Sequence, residues 1–498
     1  MTSSRPRRLR TGLVIAAGVA IVAAAGVVID RFDLFSELTF AIQRTPSRMP
    51  STKLVPERDV RLGTPILSLS VAEADLNDPE TGLLTHPLEK GVEWERPAYV
   101  SYFDQGQLRF SSEVGVRLHG GKSREHSPVQ SFRLYFERKY GATAFGAGIL
   151  FGGRSDPLRQ IVVHNDLRQD LRGTWWHFVN PLAFDIAKAV GAIVPETQPA
   201  KVFLNGQPLG AYVLTEHVTS RGFQDAHFGH RAFTIADTAA IEDMWRWQRE
   251  RPRLTMADVG EVVDLDNLTS WFISVLFCAT TDAFQGVMLR DDSQAPARWF
   301  WVNWDMDHSF MDLYQQAPSP WEHDTFSTLL SKRELRSGLV TRLIEEDSRY
   351  AVRFKQALAD ALNHRLTERF LMERFDHYGR IAQALQVPDQ DYLPTLAEFL
   401  RRRADVIRRQ SPEYLPRGNS RHVTLTAPAG ASFRIDGHDT TDAYDGWYFD
   451  DTAVRIDVTG PWRERFAGWV VNGQPAATSG PDFARQISED LSIEARFR

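Results

Sequence analysis

The stretch Trp299-Phe300-Trp301-Val302-Asn303-Trp304-Asp305-Met306-Asp307-His308-Ser309-Phe310 decides how the rest of the chain is read. An apolar, aromatic run that ends abruptly in two acids has the pattern of a buried strand, and strand ends facing a cleft commonly hold ligands and metals. Side chains two apart share a face while the chain stays extended, so Asp305 and Asp307 are expected to converge on one hard divalent cation such as Mg²⁺. Three chemistries share such a pair: a phosphoryl-transfer metal site, the Asp-x-Asp of nucleotide-sugar glycosyltransferases, and the nucleophile strand of aspartyl-phosphate phosphatases. A strand-end turn capped by acids has the same sequence.

Outward from that stretch, 498 residues leave room for two or more domains, and 43% hydrophobic with 24% charged residues can supply a sizeable core. The formal net charge of -6 comes from well-mixed charges rather than blocks, so no nucleic-acid partner is expected. The single cysteine, Cys278, excludes an intramolecular disulfide and reads as a small core side chain.

Arg5, Arg7, Arg8 and Arg10 precede an uncharged apolar run over residues 11–29 that Asp30 closes. This predicts one transmembrane anchor with a cytoplasmic tip (residues 1–30), placing the chain in the cell membrane as a single-pass protein with its bulk extracytoplasmic. Cleavage after Ala23-Ala24-Ala25 is the rival, against which stands the apolar continuation through Val27-Val28-Ile29. Residues 31–60 read as a linker.

Strands are expected at residues 66–69, 98–103 and 108–110, the last two joined as a hairpin through Asp104-Gln105-Gly106-Gln107. Residues 114–119 run into Gly120-Gly121-Lys122-Ser123-Arg124 and return as a strand over 131–136, making a basic loop suited to phosphate. It is no Walker loop, because the required first glycine falls at Val116 and no helix follows. Helical spacing covers residues 173–190. Two strands over 200–204 and 211–216 meet at Asn205-Gly206, and Glu216 stands at the end of the second. Helices are predicted over 266–280, 326–330, 333–361 and 396–410, the last with Arg401, Arg402, Arg403, Arg408 and Arg409 as a solvated face. From residue 420 to 498, after a linker at 412–419, short strands (422–426, 432–435, 454–458, 469–471, 491–497) indicate a small all-β domain.

These residues resemble the CotH kinase family, the spore coat protein H-like atypical protein kinases. The matches run in family order: Asp78-Pro79-Glu80-Thr81-Gly82 and Trp94-Glu95-Arg96-Pro97; Val116-Arg117-Leu118-His119-Gly120-Gly121 with Ser123-Arg124; Ser131-Phe132-Arg133; Leu204-Asn205-Gly206 with residues 210–216; Asp282; and Trp304-Asp305-Met306-Asp307. The resemblance implies an α+β fold, an atypical protein-kinase-like two-lobed domain over residues 61–412. It also implies Mg²⁺ and ATP as cofactors, and phosphorylation of Ser or Thr on exported or cell-envelope proteins. By the same resemblance Asp282 is the catalytic, base-like residue and Asp305 and Asp307 hold Mg²⁺. Arg117, Lys122, Arg124, Arg133 and Glu216 then bind the nucleotide. The family's lysine before the Ser-Phe-Arg strand is replaced by Pro128-Val129-Gln130, and its asparagine after the catalytic aspartate by residues 283–287. Lys122 is expected to reach back into the site, and Gln285 to offer a carbonyl oxygen. The alternative is a pseudokinase acting as an envelope structural or interaction protein. The C-terminal block around Phe466-Ala467-Gly468-Trp469 resembles a bacterial extracytoplasmic β-repeat module.

Overall fold

The computed structural model describes residues 55–498 except 122, 127–128, 142–144, 153–156, 167, 170–174, 230–231, 281–285, 312–316, 332–334, 388–390 and 479. The expected anchor at residues 11–29, Lys122 and Asp282 therefore lie outside the described residues. Among the described residues no helix is long and apolar enough to cross a membrane. The fold is mixed α+β and divides into two compact units. One runs up to His164 and takes in Ala200–Gly210; the other comprises Asn165–Pro199 and Ala211–Arg498.

Seven strands form a closed barrel: β1 (Ile66–Val71), β2 (Arg96–Asp104), β3 (Gln107–His119), β4 (Ser131–Tyr135), β5 (Gln160–His164), β6 (Thr197–Leu204) and β7 (Gln207–Glu216), in the order β1-β6-β7-β5-β4-β3-β2. The two tight hairpins fall where the turn residues put them. At the β6–β7 turn, Asn205 and Gly206 take φ of 51° and 80°, the left-handed pair that a two-residue turn needs and that Asn-Gly supplies with little strain. The Asn205 side chain also bonds the N–H and C=O of Val71 at 2.8 and 2.9 Å, fixing the turn to the end of β1. The loop after β3 holds one helical turn, Ser123–His126, before β4 returns.

The second unit is built on helix α5 (Leu265–Cys278), which is buried along nearly its whole length. An Asp264 side-chain cap on Asn267 N–H starts it, and Ala279 in the left-handed region ends it. Around it lie α1 (Val179–Ala189), α2 (Arg221–Phe228), α3 (Thr238–Arg249), α4 (Met256–Val262) and the three-stranded sheet of β8 (Phe233–Ile235), β9 (Val287–Asp291) and β10 (Arg298–Val302). Among the described residues, α6 (Thr325–Ser331), α7 (Leu335–Glu346), α8 (Ser348–Asp360), α9 (Glu368–Ala384) and α10 (Leu393–Tyr414) follow.

Several expectations are corrected here. The helix expected from residue 173 starts at Val179, since Trp175–Trp176 pairs as a strand with Arg168–Gln169; regularly spaced aromatics imitated a helical period. The span 333–361 is two helices, because the Asp347 carboxylate caps α8 at Arg349 N–H and accepts from Met256 N–H as well. Helix α9 was not anticipated. On α10 the arginine face is not uniformly solvated: Arg403 is completely buried.

The C-terminal region has two sheets and one short helix, Trp462–Arg465. Strands β11 (Ser420–Thr426), β12 (Ser432–Ile435), β13 (His438–Thr441), β14 (Ala443–Phe449), β15 (Ala453–Val458), β16 (Phe466–Val471), β17 (Gln474–Pro475), β18 (Asp482–Gln486) and β19 (Leu491–Phe497) form sheets in the orders β14-β11-β19-β16-β17 and β13-β12-β15-β18. Alternating residues such as Val423, Leu425, Ile456 and Ile493 are buried in one core continuous with that of the helices. Lys355 of α8 enters this junction. Its buried ammonium donates to the carbonyls of Pro416, Arg417 and Asp450 at 2.9, 3.2 and 2.6 Å, and burial lowers its pKa.

Candidate functional site

Strand β10 is bracketed on both edges before it reaches the acids. On one side it pairs antiparallel with β9, Trp301 opposite Met288. On the other, the Asn267 amide of α5 stands in for a strand, donating to Trp301 C=O at 2.9 Å and accepting from Trp301 N–H at 2.7 Å. Ile193 continues the bracket, pairing with Val302 and accepting from Asn303 N–H at 2.8 Å. Pairing stops at Val302, so the two-residue alternation does not extend to the acid pair. Asp305 is in the left-handed region with φ of 56°, a conformation that aspartate tolerates better than most residues.

The loop beyond is held by neutral contacts. Ser309 Oγ meets Thr280 Oγ1 at 2.8 Å, Phe310 N–H donates to Cys278 C=O at 2.7 Å, and the Tyr392 hydroxyl donates to Phe310 C=O at 2.7 Å. Asp307 is buried, with His308 Nε2 at 3.8 Å. Trp304, next to Asp305, stands edge-on to His217, next to Glu216, with ring centres 6.2 Å apart. The end of β7 and the acid loop are therefore neighbours within the second unit. Glu216 itself is fully buried and engaged: it accepts from Glu196 N–H at 2.9 Å and faces His227 Nε2 at 3.0 Å.

The C-terminus of α5 leads through Thr280 towards Asp282, and Arg403 fixes it. The guanidinium donates to the carbonyls of Leu276 (2.8 Å), Phe277 (3.2 Å), Trp321 (2.8 Å) and His323 (2.8 Å) and to Thr325 Oγ1 (2.7 Å). Burial pulls its pKa down to about 10. Sequence reading missed this residue, although the signal was present: Leu396, Phe399, Leu400, Arg403, Val406 and Ile407 share one helical face.

In the barrel unit the basic residues divide. Arg117 and Arg133 are direct cross-strand partners on β3 and β4. Arg117 is committed to the buried Glu95 (Nη2–Oε2 2.6 Å) and lies over the Tyr135 ring. Glu95 also takes Lys139 at 2.9 Å and the Tyr140 hydroxyl at 2.8 Å. A side chain at Gly115 would come within 2.7 Å of Glu95 Oε1, so the cluster requires glycine there. Arg124 donates to the carbonyls of Leu88, Glu89 and Gly121. Arg133 touches the ring of His119, with Nη2 2.9 Å from Nδ1, and the His119 and His164 ring centres are 6.4 Å apart.

A sequence profile described as CotH kinase protein matches residues 116–251 and 234–397, together more than half of the chain. The chain belongs to the CotH kinase family. The first stretch takes in Arg117, Arg133 and Glu216, and the second takes in Asp282, Asp305 and Asp307. No curated protein matches the sequence. Among solved structures the Helicobacter pylori proinflammatory kinase CtkA is similar at 14% identity, over 52% of this chain and 94% of that one, with a TM-score of 0.26.

The chemistry of the acid loop suits the cation expected of such a family. Asp305 and Asp307 are hard oxygen donors, and Mg²⁺ is commonly held by one or two carboxylates while keeping several waters. Among the described residues no three His, Cys, Asp or Glu side chains stand together as a complete metal cage.

Proposed function

We propose that this CotH-family chain is a membrane-anchored phosphotransferase that moves the γ-phosphoryl group of ATP to Ser or Thr hydroxyls of exported or cell-envelope proteins. The observation that carries the reading is the acid loop: a strand bracketed on both edges delivers Asp305 and Asp307 into a turn fastened to Cys278, Thr280 and Tyr392. Phosphoryl transfer is mostly positioning and charge stabilisation, so a rigid carrier for the metal-holding acids is what it needs. Bound Mg²⁺ supplies neutralisation of charge on the phosphate oxygens.

Asp305 and Asp307 hold the cation, and Asp282 orients the acceptor hydroxyl and takes its proton. The hydroxyl oxygen bonds to the γ-phosphorus as the bond to the β–γ bridging oxygen breaks, and ADP leaves. By the resemblance Arg133 and Lys122 serve the phosphates and Glu216 supports the nucleotide from the end of β7, whereas Arg117 and Arg124 are engaged with Glu95 and with the carbonyls of Leu88, Glu89 and Gly121. Of the arginines, Arg133 is the one best suited to a phosphate, since its described hydrogen bond is to an imidazole and not to a carboxylate.

Calorimetric ATP and Mg²⁺ binding together with phosphate transfer to an exported protein fraction tests this. Asp305→Asn should abolish both Mg²⁺ binding and transfer while leaving the metal-free fold as stable or slightly more so. If the parent chain binds no nucleotide, the second reading holds, a pseudokinase serving as an envelope scaffold. Pro128-Val129-Gln130 in place of the family's lysine favours that reading, Gln130 being occupied with Arg124 C=O at 2.9 Å. A reporter joined after Arg61 that works only in the cytoplasm would refute the anchored topology.

A further inference from the structure

Arg117 and Arg133 stand directly opposite each other on β3 and β4, and like charges so placed on a sheet are destabilising. The Arg117 charge is answered by Glu95, which together with Glu137 also takes Lys139. The Arg133 charge meets no carboxylate among the described residues. Its described hydrogen bond runs from Nη2 to His119 Nδ1 at 2.9 Å, and its buried Nε–H has no acceptor there. A guanidinium only donates, so Nδ1 must be the acceptor, which leaves the imidazole uncharged with its proton on Nε2. His119 is itself held in place: it closes β3 opposite Ser131, and the His164 ring at the end of β5 stands edge-on to it.

A carboxylate at position 119 would hold Arg133 as firmly, but it would also cancel the charge and occupy the fork that phosphate oxygens take in pairs. A neutral imidazole acceptor orients the guanidinium and leaves its charge and the rest of its fork to a ligand. Fixing a long side chain before the ligand arrives also removes an entropy cost from binding. We propose that His119 is a positioning residue that holds Arg133 ready for a phosphate group of the nucleotide. The proposal rests on the reading of Arg133 as a phosphate ligand.

Calorimetric titration of ATP with Mg²⁺ into the full chain separates the two. Arg133→Gln should weaken binding about tenfold or more, and His119→Leu, which removes the acceptor, about fivefold. His119→Asn carries an oxygen in the place of Nδ1 and should recover most of that loss. In His119→Asp the new carboxylate pairs with Arg133, so the melting temperature should hold or rise while ATP affinity falls about tenfold or more. Parental affinity in His119→Leu and His119→Asp with loss in Arg133→Gln overturns the His119 assignment alone. Equal losses in His119→Asn and His119→Leu reject the acceptor role, and affinity that falls only together with melting temperature makes the side chain structural and ends the proposal. Should His119→Leu not fold, the contrast between His119→Asn and His119→Asp decides. Equal affinity in the parent and Arg133→Gln, or no ATP binding by the parent, overturns the phosphate reading and this inference with it.

Discussion

The barrel unit and the helical unit each bury a strong cation cluster, and they stabilise it by different means. In the barrel, Arg117 and Lys139 share one buried carboxylate, Glu95. Burial works against the Arg117 charge, but Glu95 outweighs it and the pKa rises. In the helical unit, Arg403 makes all five of its hydrogen bonds to neutral oxygens, two of them carbonyls of the last turn of α5. Those carbonyls carry the negative end of the helix dipole, and apart from the long 3.4 Å bond from Ala279 N–H to Leu276 C=O the helix end leaves them to outside donors. A helix end can thus replace a counter-ion, though less completely, as the depressed Arg403 pKa records.

Removing each cation or its partner separates the two arrangements. Arg403→Met should cost about 3–5 kcal/mol in urea unfolding, because four carbonyls from two segments and the Thr325 hydroxyl lose their donor at once. Loss below about 1 kcal/mol would mean that water replaces the guanidinium and that the helix end is not held by it. Glu95→Gln should cost less, about 2–3 kcal/mol, since the amide oxygen still accepts while the charge opposing Arg117 and Lys139 disappears. A larger loss than for Arg403→Met would mean that the barrel cluster depends on its one carboxylate charge more than the end of α5 depends on its guanidinium.

A smaller effect concerns pH. Burial lowers the pKa of His177 to about 4, and burial reinforced by His438 lowers that of His364 to about 4. Both are held neutral in the fold but bind protons near 6.5 when unfolded. Their contribution is complete above about pH 6.5 and is lost as pH falls towards 4. Melting temperature should decline over that window, and His364→Gln should flatten part of the decline. At the low end, Arg402→Ala on the exposed side of α10 should shift stability by no more than about 0.5 kcal/mol despite its bond to Glu398. A shift as large as that of Arg403→Met would show that the arginine run acts as a whole.

The legible parts of the fold were those that local chemistry determines. Alternation and Asn-Gly turns located most barrel strands, the aromatic run before the acids was a strand, and separated motifs in order marked the family. What escaped depends on partners far along the chain. Arg403 lies within a run of arginines whose neighbours are solvated, and its fate is decided by carbonyls more than seventy positions away. The end of the acid loop at Phe310, itself at φ of 63°, is likewise held by anchors at Cys278 and Tyr392, far from it in sequence. Trp176 fitted a helical period and pairs in a strand with Trp175, because short apolar spacing is shared by both structures.

Lys355 bears on any attempt to dissect the molecule. Its ammonium is satisfied from beyond the last helix, by the Pro416, Arg417 and Asp450 carbonyls. A chain cut near residue 412 would keep α8 with a cation stranded at a newly opened apolar face. The stretch that looks like a convenient place to trim the protein is therefore a joint, and a shortened version made there begins with a defect of its own making.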